Sequence, residues 1–93
     1  MASSVRFRMH ALRRMFERGI SVEDVEAVLE SGEAIESYPD DQPYPSRLLL
    51  GWRKVRPLHV VAAENWSQNE IIIITAYQPD PLQWEPGFRR RKS

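Results

Sequence analysis

The tripeptide Gly19-Ile20-Ser21 constrains the fold of this chain more than any other feature, because it ends one helix and starts the next. Glycine adopts the left-handed conformation that closes a helix, and an apolar residue after it packs back onto that helix. Serine is a preferred N-cap, and two acids follow it in the first turn, where the helix dipole favours negative charge. The sequence therefore predicts a helical hairpin over residues 9–32, with helices at about 9–18 and 22–31.

Each predicted helix has one apolar stripe at the i, i+3, i+4 spacing of a face that packs on a core. The two stripes consist of Met9, Leu12, Met15 and Phe16 in the first helix and Val22, Val25, Val28 and Leu29 in the second. The opposite side of the first helix carries His10, Arg14, Glu17 and Arg18. Gly32 is predicted to close the second helix in the same manner as Gly19 closes the first.

After the hairpin, the hydrophobic period changes to that of β-strands. The predicted strands are Ala34 to Tyr38, Arg47 to Arg53, Leu58 to Glu64 and Glu70 to Tyr77. The loop 39–45 cannot extend a ladder, because its prolines lack the N–H donor. The unbroken run Ile71 to Ile74 indicates a central strand covered on both faces. Before the hairpin, Val5 to Met9 alternates apolar and basic residues and predicts a short strand or an extended lead-in.

The predicted fold is α+β, with residues 1–93 forming a single domain, since a chain of 93 residues builds one core. The helical hairpin 9–32 packs on a mostly antiparallel sheet of about four strands drawn from residues 33–77. The tail 78–93 contains three prolines and a glycine, so it is expected to wrap over the sheet with little regular structure and to end in a loose basic cluster.

The composition argues against several classes of protein. The absence of cysteine excludes disulfides and thiolate metal sites. The two histidines lack metal-ligand spacing and no glycine-rich phosphate loop is present, so we expect neither a metal nor a cofactor. No stretch approaches the ~20 apolar residues of a membrane span, and the first residues lack the apolar core of a signal peptide. These features predict a cytoplasmic protein with no membrane partner.

The formal net charge is zero, but the charges are segregated along the chain. Residues 1–19 hold five Arg and one Glu, whereas residues 20–41 hold eight acids and no Lys or Arg. A polyanion is steered by the local electrostatic potential of a surface rather than by the net charge of the protein. The basic segments of this chain can therefore attract a polyanion although the net charge is zero. The alternative is a set of solvated faces with internal ion pairs.

The strongest candidate chemistry in the sequence is His10, with Arg14 and Arg18 one and two helical turns further on. An imidazole transfers protons near neutral pH, and a guanidinium binds two phosphate oxygens at once. The structural alternative is a histidine bonded to the backbone beside arginines that pair with the second helix. We also expect basic groups of the first helix and the central strands, including Arg14 and Arg53, to converge on one concavity.

Three further features carry weaker signals. Gly51 is unusual inside a strand and indicates a bulge or the close approach of another backbone segment or a ligand. Aromatic and basic groups lie close together in sequence at Tyr77, Trp84 and the run Phe88 to Lys92. Aromatic rings stack on bases and basic groups hold a phosphate backbone. The alternative for Trp84 is a structural role, in which its ring covers the open face of the sheet. His59 lies between apolar neighbours and is interpreted as an ordinary sheet residue.

Two segments of the chain resemble a bacterial family described only as a domain of unknown function. The first is His10-Ala-Leu-x-Arg-Met-x-Glu-Arg-Gly-Ile20-Ser. The second is Ile74-Thr-Ala-Tyr77-x-Pro-Asp-Pro-x-x-Trp84 followed by a basic cluster, and it resembles the close of members that sit beside a predicted zinc-finger antitoxin. The resemblance covers nearly the whole chain apart from residues 39–46. In predicted layout that family is similar to the RelE, BrnT and MqsR toxins.

The resemblance implies a RelE-like fold and the toxin of a type II toxin-antitoxin pair, a metal-independent endoribonuclease. In such an enzyme a general base removes the ribose 2′-hydroxyl proton, and the oxyanion attacks the next phosphate. The catalytic residues implied are His10, Arg14, Arg18 and Tyr77. The RNA-binding residues implied are Arg13, Arg47, Arg53, Trp84, Arg89 and Arg90. The implied partners are RNA and an antitoxin protein, and a homo-oligomer stays open.

Two other hypotheses remain. One is a non-catalytic RNA- or protein-binding module that uses the same basic face. The other is an interaction subunit in which the acidic second helix and the isoleucine-rich sheet dock a partner.

Overall fold

The computed structural model describes residues 4–93, which form two helices packed on one five-stranded mixed sheet. The elements are β1 (Ser4–Phe7), α1 (Met9–Arg18), α2 (Val22–Ser31), β2 (Glu33–Tyr38), β3 (Ser46–Arg53), β4 (Arg56–Asn65) and β5 (Glu70–Tyr77). A single 3-10 turn at Trp66–Gln68 joins β4 to β5. The strand order is β1-β5-β4-β3-β2, so β4 is the middle strand.

The expectation of about four antiparallel strands is wrong at the N-terminal end. Strand β1 is a fifth strand, and it pairs in parallel with β5, with Val5 opposite Ile71 and Phe7 opposite Ile73. The other three strand pairs are antiparallel. The alternation of residues 5–9 identifies a strand but not its partner, because no turn links two segments so far apart in sequence.

The helical hairpin follows the predicted bounds of both helices. Gly19 adopts φ 65°, and its N–H is directed to the carbonyls of Met15 and Phe16. The Ser21 hydroxyl accepts a hydrogen bond from the Asp24 N–H at 3.0 Å, and the Asp24 carboxylate accepts one from the Ser21 N–H at 2.9 Å. This reciprocal capping box satisfies two donors at the start of α2, so the tight turn is encoded locally.

Gly32 ends α2 differently from the predicted left-handed cap. Its φ is −76°, in the extended region. A Cβ at this position would lie 2.5 Å from the Val28 carbonyl oxygen and 2.8 Å from that of Leu50. Glycine is therefore required here by the close approach of two backbone segments rather than by backbone conformation.

The predicted apolar stripe of α1 is rotated relative to the observed one. Ala11 and Met15 are buried and Leu12 is half-buried, whereas Met9 and Phe16 are 73% and 80% exposed. Helix α1 packs mainly on β5, near the sheet edge formed by the four-residue strand β1. We attribute the exposure of Met9 and Phe16 to this edge position, which leaves the outer flank of the helix uncovered.

The core between the helices and the sheet takes alternate residues of the central strands. It contains Ala11, Met15, Ile20, Val25, Val28, Leu49, Leu58, Val60, Ala62, Ile73 and Ala76. Gly51 admits Val28 of α2, since a Cβ there would lie 2.7 Å from a Val28 methyl group. The close approach at this glycine is thus made by a helix side chain rather than by another backbone segment or a ligand. No helix within residues 4–93 is long and apolar enough to span a membrane.

Candidate active site

The tail, residues 78–93, packs on the sheet face opposite the helices. Trp84 is 3% exposed, and its ring centroid lies 4.5 Å from that of His59 in an edge-to-face arrangement. Phe88 makes a similar contact with Trp52 at 6.1 Å. The structure therefore favours the role of Trp84 as a plug, because so deeply buried a ring cannot stack on a base.

His59 and Tyr77 lie side by side at the centre of this face, as register partners in the antiparallel pair β4 and β5. The His59 Nε2 atom is 2.9 Å from the Phe88 carbonyl oxygen, and Nδ1 is 3.3 Å from the Tyr77 hydroxyl. Since a carbonyl oxygen only accepts, Nε2 carries the hydrogen of the neutral ring. Nδ1 is then the acceptor, and the Tyr77 hydroxyl donates to it across a long hydrogen bond.

The surroundings keep this pair in its neutral form. The His59 side chain is fully buried, and burial lowers the pKa of His59 below its usual 6.5, against the opposing effect of the hydrogen bond to the Phe88 carbonyl. Burial also raises the pKa of Tyr77 above its usual 10.0. The lone pair of the neutral imidazole is directed at the protonated phenol. When a ligand gives a proton to the phenol oxygen, the imidazole can accept the proton that the phenol already carries.

Arg91 connects the tail to strand β2 beside this pair. Its guanidinium donates to both carboxylate oxygens of Glu36, at 3.0 and 3.2 Å, and lies 4.7 Å from the Trp84 ring centroid. Tyr38 donates a further hydrogen bond to Glu36. The hydrogen bond from Arg91 is the main cause that lowers the pKa of Glu36, so this carboxylate remains ionised and fixes the arginine in place.

An open cleft of about 520 Å³ lies where α1 and β5 end and β4 and the tail begin. It is lined by Arg18, Arg56, Tyr77, Gln78, Asp80, Gln83, Trp84 and Arg91. Three guanidinium groups and one carboxylate give the wall a net positive charge. The Tyr77 side chain belongs both to this wall and to the pair with His59, so the cleft has a proton-transfer group among its cations.

Two of the cleft arginines are positioned by the backbone around the end of α1. Arg18 donates to the Ala76 carbonyl at 2.9 Å. Arg56 donates to the Arg18 and Gly19 carbonyls, both at 2.9 Å, and to the Gln78 side chain at 3.0 Å. These acceptors are uncharged, so both guanidinium groups keep their full positive charge toward the cleft. Arg56 also satisfies carbonyls that the helix end leaves without partners.

The residues expected from the sequence to form the site are only partly brought together. Arg18, Tyr77 and Trp84 line the cleft. His10 and Arg14 are exposed on α1 and do not line it. Arg53 lines a separate depression with Asp24, so the expected convergence of Arg14 and Arg53 is not found. Instead, Arg18 of α1 and Arg56 of β4 both line the cleft, so a basic group of the helix and one of the sheet do lie together there.

The expected RNA-binding arginines are dispersed over the surface. Three of them form ion pairs: Arg47 with Glu64 at 2.7 Å, Arg53 with Asp24 at 3.0 Å and Arg89 with Glu33 at 2.5 Å. Arg13 and Arg90 are exposed. Ion pairs of the kind anticipated as the alternative to a basic surface therefore engage three of the expected RNA-binding arginines.

His59 lies at the centre of this face, although its sequence context predicts only an ordinary sheet residue. A histidine between apolar residues gives no signal by itself, and the turn between β4 and β5 does not identify its partner. Counting outward from Asn65 opposite Glu70 would place Ala76 opposite His59. The register shift between Val61 and Ala62 brings Tyr77 opposite His59 instead. Within residues 4–93 no group of three or more His, Cys, Asp or Glu side chains could hold a metal ion.

The buried neutral histidine predicts a dependence of stability on pH. Because the pKa of His59 is lower in the folded state than in the unfolded chain, the unfolded state binds more protons between the two values. The free energy of unfolding should therefore fall as the pH is lowered from about 7.5 to about 5, measured by urea denaturation.

The matched control for this pH dependence is His59→Gln. The variant keeps a donor for the Phe88 carbonyl and should flatten the profile in this range. A wild-type profile that is flat above pH 5 would contradict the assignment. Loss of stability at still lower pH belongs to Asp24 and Glu36, whose pKa values are lowered by their hydrogen-bond donors.

Comparison with known proteins identifies the family but no relative of known function. The model of a family described as a domain of unknown function, DUF4258, matches residues 7–78, and the chain therefore belongs to that family. The matched range includes α1, the whole sheet after β1, His59 and Tyr77, and it ends before Trp84 and Arg91. No curated protein and no solved structure matches the chain.

Proposed function

We propose that this member of the DUF4258 family is a metal-independent endoribonuclease that cleaves RNA by attack of a ribose 2′-hydroxyl. The observation that carries the proposal is the hydrogen bond of Tyr77 to a buried neutral His59 at the wall of an arginine-lined cleft. The similarity in predicted layout between this family and the RelE, BrnT and MqsR toxins supports the same reaction class, and the proposal includes the role of toxin in a toxin-antitoxin pair.

The cleft supports this proposal because it combines the groups that the reaction needs without a metal. The transition state carries charge on the phosphate oxygens, which guanidinium groups stabilise in fixed positions. Arg18 and Arg56 are held by backbone carbonyls before any ligand binds. Asp80 is the one acid in the wall, and its side chain accepts a hydrogen bond from the Leu82 N–H.

The proposed chemistry uses Tyr77 and His59 as one proton acceptor. The Tyr77 oxygen takes the proton of the 2′-hydroxyl while its own proton passes to His59 Nδ1. The ribose oxygen forms a bond to phosphorus and the bond from phosphorus to the 5′-oxygen breaks. The leaving oxygen takes a proton from water at the open mouth of the cleft. The products are a 2′,3′-cyclic phosphate and a 5′-hydroxyl, and His59 then returns its proton through Tyr77 to solvent.

His59 acts through Tyr77 and does not touch the substrate in this scheme, so it is a positioning residue. Its depressed pKa keeps Nδ1 free to accept a proton at neutral pH. The long Nδ1 to hydroxyl distance of 3.3 Å is compatible with the role, because catalytic hydrogen bonds commonly tighten when substrate binds.

The test of this proposal is incubation of the purified protein with a mixed-sequence RNA in EDTA. The expected result is cleavage to fragments that end in 2′,3′-cyclic phosphate, detected by mass spectrometry. The toxin role predicts growth arrest when the protein is expressed alone in a bacterial host. RNA that is retained by the protein but stays whole would overturn the proposal in favour of a non-catalytic binding module, and cleavage that requires a divalent ion would also contradict it.

A further inference from the structure

The outer surfaces of α1 and α2, turned away from the sheet, carry opposite charges without internal partners. Within residues 4–93, the five ion pairs leave Arg13 and Arg14 of α1 and Glu23, Glu26 and Glu30 of α2 unpaired. All five side chains are exposed. The acids that do form ion pairs elsewhere, such as Asp24 and Glu36, face the strands or the tail instead.

The same surface of α1 exposes two large apolar side chains. Met9 and Phe16 are 73% and 80% exposed, which is unusual for large apolar residues at the spacing of a buried helix face. They are seven residues apart with Arg13 between them, so the three lie on one side of the helix. Opposite the buried Val25, α2 presents Glu23, Ala27 and Glu30 at the same i, i+4, i+7 spacing.

We propose that this surface, here called the helical face (the outer sides of α1 and α2), binds a second copy of the chain in a two-fold symmetric dimer. In such a dimer α1 of one protomer lies on α2 of its partner, and the reverse contact is made at the same time. The arginines of α1 then meet the glutamates of α2 twice, and Phe16 and Met9 contact the small residue Ala27 of the partner.

A second copy is favoured over an unrelated partner because the two halves of the helical face complement each other. α2 contains no Lys or Arg, and Glu17 is the one acid of α1. A partner that is acidic throughout would fit α1 but be repelled by α2, whereas a second copy satisfies both helices. The formal net charge of zero removes the long-range repulsion between copies that a basic protein would have.

The size of the helical face predicts a dimer of modest stability. Each helix has ten residues and is therefore about 15 Å long, so the contact falls at the small end of the ~1,200–2,000 Å² buried in stable interfaces. Exposed ion pairs weaken as salt screens them. We therefore expect sedimentation equilibrium to show a dimer at low ionic strength whose dissociation constant rises with salt.

The decisive experiment uses two charge-reversed variants of the full chain. Arg13→Glu with Arg14→Glu makes both helices acidic, and Glu23→Arg with Glu26→Arg and Glu30→Arg makes both basic. Like charges placed in contact should weaken self-association of each variant by at least ~100-fold, since they cost several kcal/mol across an interface. When the two variants are mixed, acidic α1 meets basic α2 and basic α1 meets acidic α2, so a 1:1 dimer should form again.

Controls separate this result from unfolding or a general charge effect. Arg90→Glu changes an exposed arginine of the tail and should leave the dimer intact. Phe16→Ala should weaken association without affecting circular dichroism, because the side chain is already exposed. The proposal is overturned if the wild-type chain is monomeric at low salt, if either reversed variant dimerises as the wild type does, or if the mixture remains monomeric.

Discussion

Tyr77→Phe should reduce RNA cleavage by ~10²- to 10⁴-fold, the usual contribution of acid-base catalysis. The variant removes one oxygen atom and keeps the ring that packs near His59, where the ring centroids are 5.3 Å apart. Without the hydroxyl there is no group to pass a proton from the ribose to His59 Nδ1. Binding of RNA to the arginines should change little, because Arg18 and Arg56 take their positions from backbone carbonyls.

The measurement is single-turnover cleavage of a labelled RNA, with affinity determined separately on a 2′-deoxy analogue that cannot react. His10→Ala is the matched control, since His10 is exposed on α1 outside the cleft and should retain full activity. His59→Gln should lower the rate and remove the contribution of a group with depressed pKa from the pH profile. Either of two results would contradict the role of Tyr77 and favour catalysis by residues of α1. The first is full cleavage activity of Tyr77→Phe, and the second is loss of cleavage activity in His10→Ala.

The hairpin of helices could be predicted from sequence because its determinants are local. Gly19 and the Ser21 capping box act within four residues of the turn, and both helix bounds follow from them. The orientation of α1 about its axis could not be predicted in the same way. Met9 and Phe16 satisfy the spacing of a buried stripe, and only the position of α1 near the sheet edge leaves them exposed.

The sheet and the site depend on contacts between distant residues, which the residue pattern does not specify. β1 forms an edge of the sheet by pairing with β5. The register partners Val5 and Ile71 are 66 residues apart in sequence, and no turn joins the two strands. The tail is fixed to β2 by Arg91 and Glu36, which are 55 residues apart. Tyr77 was identified from sequence because it ends a strand, but the identity of its partner required the register between β4 and β5.

Trp84→Ala should lower the free energy of unfolding by ~3–5 kcal/mol, because Trp84 holds the tail against the sheet. The side chain is 3% exposed and packs edge-on against the fully buried His59 on one side, with the Arg91 guanidinium near its ring. Its removal leaves a cavity that the tail can fill only by moving, and it exposes the imidazole to water.

Urea denaturation at neutral pH measures this loss, and Trp66→Ala is the matched control. Trp66 has the same side chain but is 78% exposed in the turn between β4 and β5, so its removal should change stability by no more than ~0.5 kcal/mol. In Trp84→Ala, hydration of His59 should also raise the pKa of that residue toward its usual value and flatten the pH dependence of stability between pH 5 and 7.5. If both tryptophan variants were equally stable, the tail would not be part of the folded core, and His59 would owe its burial to the strands alone.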